Sequence, residues 1–207
     1  MGMDEAGDFF SEAVKAAQGV LSDVVLRGGL HLRPGYLSRG VARQCRVRLA
    51  FLMRYIRQLI FLLAAGMMQD LPPVKSRTAQ PCRKPAEGVE DVTASFGPRP
   101  WRFALVPAPY APLPAMTQIK GKPQAEEVPA SGFLEKVVAL SEILADPQTH
   151  ARQMARTLLR WKAAGDMTPV SVEAVPGFRA DRLTECLSQA LSERLNSALA
   201  VAWNGSG

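Results

Sequence analysis

Apolar residues recur at helical spacing in several stretches of the chain, and one long stretch shows no such period. In 4–26, Phe9, Phe10, Val14, Ala17, Leu21, Val24 and Val25 predict a first helix, with acidic residues favourably placed near its start. Gly28-Gly29 ends it, and His31-Leu-Arg-Pro-Gly35 is turn material. From Arg39 to Gln69, Cys45, Leu49, Leu52, Ile56, Leu59 and Leu63 alternate spacings of four and three, the seam of a long amphipathic helix. At 100° per residue, Arg39, Arg43, Arg46, Arg54 and Arg57 fall in an arc of roughly 80° across from that seam, which leaves Arg48 on the opposite side.

The C-terminal third predicts three more helices. Ser131 is placed to cap the first, whose seam is Phe133, Val137, Leu140 and Leu144, with Leu134 and Val138 beside it. Asp146 as N-cap and Pro147 at the first helical position start the next helix. That helix runs to about Ala164 through Ala151, Met154, Ala155, Leu158 and Trp161, and Gly165 stops it. The last helix, from about Ala180 to Trp203, carries Leu183, Leu187, Ala190, Leu191, Leu195, Ala198, Leu199 and Ala202 on one face. Short connections predict an antiparallel bundle, with the arginine-bearing helix as a fourth member.

Twelve of the sixteen prolines lie between Pro72 and Pro129, where no helical period survives. Proline at this density fixes φ and removes donors, so the stretch reads as an extended, largely disordered linker. Within it, Trp101, Phe103, Leu105 and Val106 are expected to form a short extended segment docked on a helical surface. Pro109-Tyr-Ala-Pro112 has PxxP spacing, which arises easily by chance in so proline-rich a stretch. The predicted fold class is mainly α: a small helical bundle with a long basic amphipathic helix and a proline-rich linker. Its segments are 1–38 (an N-terminal helix and loop, either folded with the rest or a loosely attached extension), the basic helix 39–69, the linker 70–130 and a three-helix module 131–207.

The net charge of +6 is local. Residues 39–69 hold six arginines and no acid, whereas 1–38 sums to −2, 70–130 to +2 and 131–207 to zero. Such a stripe attracts phosphates, anionic headgroups or an acidic protein surface. Leu49–Met68 is long enough to span a bilayer, yet Arg54, Arg57 and Gln58 lie at its middle. Each central arginine costs roughly 2.5–3.5 kcal/mol, which the apolar residues barely offset, so the reading is against a span. Three roles remain for the helix: packing through its seam with solvated arginines, lying in a membrane interface, or contacting a nucleic-acid backbone. A second row, Arg152, Arg156 and Arg160, stands at i, i+4 and i+8; it reads as a wet helix face first and a phosphate contact second.

Chemistry-bearing patterns are sparse. His31 and His150 are the only histidines, and neither has Cys, Asp or His neighbours at metal-ligand spacing. Cys45, Cys82 and Cys186 form no framework, which fits a reducing, cytoplasmic compartment. Cys45 and Cys186 read as small buried hydrophobes and Cys82 as exposed in the linker. Lys120-Gly-Lys-Pro lacks the upstream glycine and following Ser/Thr of a phosphate loop, and no Gly-x-Ser-x-Gly occurs. Glu126-Glu127 forms no acid–base pair across a cleft. The N-terminus has no secretory pattern, and Ala6 breaks the myristoylation match.

The expectation is a non-enzymatic helical interaction protein without catalytic residues, cofactor or metal. Its partners are a protein or a second copy met through helices, and an anionic membrane surface met through 39–69. Nucleic-acid backbone binding through the arginine rows is the alternative. Arg39, Arg43, Arg46, Arg54 and Arg57 are the candidate contacts, with Arg152, Arg156 and Arg160 second.

Overall fold

The computed structural model describes residues 3–72, 101, 103–105, 127–167 and 181–204. Most of the proline-rich stretch, including Cys82, the PxxP spacing and Lys120-Gly-Lys-Pro, lies outside them. The protein is mainly helical, with bundle-like packing. Among the described residues the five α-helices are α1 (Met3–Arg27), α2 (Arg39–Met67), α3 (Ser131–Ala145), α4 (Pro147–Ala164) and α5 (Arg182–Asn204).

The centre of the fold is α2, which packs against all four other helices, most extensively α4, α5 and α1. Its first half buries one face through Ala42, Cys45 and Leu49. From Phe51 to Ala65 no residue is exposed, because Phe51, Tyr55, Ile60 and Ala65 add a second face to the seam. A helix apolar on most sides is stable only when surrounded, and α2 is surrounded. Residues of α1 from Phe9 to Val24 enter the same core, so α1 is integral to the bundle. Fully buried Ala13 and Ala17 on α1, and Ala151 and Ala155 on α4, keep those helix surfaces small.

Helix boundaries follow the local chemistry. Asp146 caps α4 by accepting from the Thr149 amide at 3.2 Å, with Pro147 at the start. Gly165 closes α4 at φ 77°, in the left-handed region that glycine enters without strain. One expected cap is corrected: Ser131 is already helical, and the carbonyl of Ala130 accepts from Phe133 and Leu134.

A strand pair was not legible in the pattern. Tyr36–Ser38 (β1) and Glu127–Pro129 (β2) pair antiparallel, with Leu37 opposite Val128, so the last residues of the expected linker are structured. The antiparallel arrangement expected for the C-terminal helices is corrected for α4 and α5. Lys162 Nζ donates to the Ala202 carbonyl at 2.6 Å, and Trp203 Nε1 donates to the Asp166 carbonyl at 3.1 Å. The C-terminal ends of α4 and α5 therefore lie side by side, whereas a hairpin would place one helix's end beside the other's start.

The buried face of α5 is also rotated from the expected one. Leu183 is 64% exposed, while Thr184, Ser188 and Ser192 are buried. Asp181 sets this rotation: it accepts from the Thr184 amide at 2.9 Å and the Thr184 hydroxyl at 2.7 Å. Two turns on, Ser192 Oγ accepts from Gln58 Nε2 at 3.0 Å and donates to the Ser188 carbonyl. This buried bond registers α5 against α2. The Tyr55 hydroxyl lies in the core without a hydrogen-bond partner among the described residues.

Gly28 is fixed by close approach. A Cβ there would meet the Val24 carbonyl oxygen at 2.8 Å and Cys45 Sγ at 3.0 Å, whereas one at Gly19 meets nothing within 4 Å. Gly28→Ala is expected to destabilise the fold by roughly 1–3 kcal/mol, from overpacking where α1 meets α2. Gly19→Ala should stabilise it by about 0.5–1 kcal/mol, from helix propensity. Urea unfolding of both variants measures the two opposite signs.

Candidate anion-docking surface

The structure divides the arginine row of α2 into an outer and a covered part. Arg39, Arg43 and Arg46 stand exposed in the first half, where α2 keeps a wet face. Arg46 also lies over the Phe133 ring, 5.8 Å from its centroid. Arg54 and Arg57 are half-buried. Arg57 sits 4.9 Å from the Phe103 centroid and donates from Nε to the Ala104 carbonyl at 2.9 Å. Burial, and then the neighbouring Arg54, lower the Arg57 pKa from the usual guanidinium range.

The cover over Arg57 is the short aromatic segment expected to dock on a helix. Trp101, Phe103 and Leu105 are partly buried, and Phe103 and Leu105 pack against the core. Lys136 of α3 lies over the Trp101 ring, and Glu135 accepts from the Trp101 amide at 3.4 Å. The expected Val106 lies outside the described residues. Arg57 is thus corrected from a solvated position to one half-covered by protein, because the flat guanidinium suits both an aromatic face and a carbonyl.

Arg48, off the row, faces α1. Its Nε donates to Asp23 Oδ2 at 3.0 Å, and Asp23 also pairs with Arg27. At 18% side-chain exposure, Arg48 makes a partly sheltered inter-helix tie. Arg152, Arg156 and Arg160 are exposed along α4, opposite its buried Ala151, Met154, Ala155 and Leu158.

The sequence reading missed the turn that precedes α2. Asp23 and Asp70 bracket a run of forty-six residues without an acid, so Arg27 and Arg33 join the arginines of α2. Arg33 takes a left-handed conformation, φ 50° and ψ 53°, at the end of a 3-10 turn over Leu30–Leu32. A non-glycine residue there carries about 1–2 kcal/mol of strain, held in place by the packed chain on either side. The visible signal was the missing acid on the N-terminal side of Arg39.

Cys45 is buried, and burial raises its pKa while Arg48 opposes the shift. Cys186 is exposed, which corrects the buried position expected for it; the rotation of α5 turns it outward. His31 is exposed and His150 half-buried in the first turns of α4. Among the described residues no group of three His, Cys, Asp or Glu could hold a metal ion. α2 is the one helix among them long and apolar enough to cross a membrane, a criterion that a core helix also meets. No protein-family model, curated protein or solved structure matches the chain.

Among the described residues two carboxylates, Asp146 and Asp181, have displaced pKa values. Hydrogen bonds from the Thr149 side chain and backbone hold Asp146 below the usual range, and those from Thr184 do the same for Asp181. A depressed folded pKa stabilises the fold above the unfolded value of about 4 and loses that contribution as pH falls through the folded value. Thermal midpoints should therefore drop below about pH 4. In the double variant Asp146→Asn, Asp181→Asn, which keeps capping oxygens but cannot titrate, that drop should be shallower.

Proposed function

We propose that this protein is a non-enzymatic helical interaction module that docks as an intact bundle on an anionic membrane surface, on the cytoplasmic side. Contact runs through the first half of α2. The observation that carries this reading is the exposed row Arg39, Arg43 and Arg46 within an acid-free run, on a helix whose other face is held by protein. An arginine at an anionic leaflet contributes about 1 kcal/mol, so three give a reversible, salt-sensitive attachment. With the seam covered by α1, α4 and α5, the arginines supply the contact without insertion of the helix.

The second row, Arg152, Arg156 and Arg160, favours a nucleic-acid backbone as the second reading, since regularly spaced guanidiniums suit a line of phosphates. Contact with a protein partner or a second copy through the helices is compatible with either.

Co-sedimentation separates these readings. The protein should pellet with vesicles of equal parts phosphatidylcholine and phosphatidylglycerol, weakly with phosphatidylcholine alone, and less as salt rises. Arg39→Gln, Arg43→Gln, Arg46→Gln together should weaken pelleting on the order of a hundredfold. Equal pelleting with both vesicle types contradicts the proposal. A low-salt gel shift with duplex or single-stranded probes, lost in Arg152→Gln, Arg156→Gln, Arg160→Gln, favours the second reading.

A further inference from the structure

The connection from α1 to α2 combines buried and exposed apolar side chains. Leu30 and Leu37 point inward and are almost fully buried. Between and beside them, Leu32 is 76%, Leu26 67% and Tyr36 62% exposed. These three large apolar side chains lie within eleven consecutive residues that also carry Arg27 and Arg33 and no acid. Chance exposure scatters single apolar residues; here Leu32 and Tyr36 sit in one short connection and Leu26 in the last turn of α1 that leads into it.

The turn is also held. The Leu32 amide donates to the Gly29 carbonyl and the Arg33 amide to the Leu30 carbonyl. Tyr36 is paired with Pro129 in the strand ladder, and the Ala130 amide donates to the Gly35 carbonyl. Gly28, at the foot of the turn, is pressed against Cys45 of α2. With Leu30 and Leu37 anchored on either side, Leu32 and Tyr36 are presented by a braced backbone.

We infer that this turn, with the end of α1 beside it, is the membrane-inserting element of the docking surface: Leu26, Leu32 and Tyr36 enter the headgroup–acyl boundary of an anionic bilayer while Arg33 and Arg39 engage the headgroups. The inference rests on the membrane reading above and adds an apolar component to it. Charge complementarity selects an anionic leaflet, and the aliphatic side chains select a bilayer over a nucleic-acid backbone, which offers them no apolar phase. Tyrosine suits this depth because its ring is apolar and its hydroxyl stays wet. A braced turn also enters without the ordering entropy that a loose loop would lose.

Leu26→Gln, Leu32→Gln together change only exposed positions, so folding should be preserved, which circular dichroism checks. On phosphatidylcholine–phosphatidylglycerol vesicles this variant should bind on the order of tenfold more weakly than the parent, because binding scales with inserted apolar area. Its remaining binding should vanish at high salt, where the parent retains part. Met167→Gln, a control at another exposed position, should bind as the parent does. Parent-like binding by the double variant overturns the insertion and leaves the arginine docking standing. Absence of parent binding to anionic vesicles removes both, and a gel shift with nucleic acid that is indifferent to Leu26 and Leu32 overturns the inference in favour of a phosphate backbone.

Discussion

The structure depends on the enclosure of α2. Its seam residues Leu49, Leu52, Ile56 and Leu59 are almost wholly withdrawn from water, and each contributes roughly 1.5–3 kcal/mol through burial. No single neighbour could cover them, because from Phe51 onward the apolar surface runs most of the way round the helix. α1, α4 and α5 divide the work, with α3 contributing at the edge. This arrangement also decides where the arginines go. Residues opposite the seam in the first half remain in water, and in the second half Arg54 and Arg57 are half-buried, Arg57 against Phe103 and the Ala104 carbonyl.

Polar groups set the register within this apolar frame. Gln58 bonding to Ser192, and Asp181 capping Thr184, fix the rotation of α5. Asp23 ties the end of α1 to Arg48, one turn beyond the point where Gly28 meets Cys45. The loop between those helices is thereby braced, which gives a short turn with exposed Leu32 and Tyr36 a defined shape. Rigidity at the turn and enclosure of α2 together hold the exposed arginines of α2 on a frame of packed helices.

Much of this was legible in the sequence where the signal was local. Spacings of three and four marked all five helices, Asp146-Pro147 and Gly165 marked the ends of α4, and the clustered aromatics of 101–105 marked a docked segment in a proline-rich stretch. What escaped depended on tertiary context. Periodicity placed Leu183 inside because leucine is apolar; the Asp181 cap turned Thr184 inward instead. The β1–β2 pair joins residues some ninety positions apart through three rungs, which no local pattern announces. Arg57 read as solvated because its cover, Phe103, lies far along the chain. The arginine row was visible, but the turn before it was read only as punctuation, since Leu32 and Tyr36 are noteworthy only once Leu30 and Leu37 are known to face inward.

Hydrogen exchange read by mass spectrometry, with and without anionic vesicles, tests the enclosure of α2 most directly. Bundle docking predicts that amides from Phe51 to Ala65 are the slowest in the chain and stay so on vesicles, with added protection confined to the turn and the first half of α2. Loss of protection across α1, α4 and α5 when vesicles are added would mean that α2 leaves its neighbours to reach the membrane, and would contradict the account.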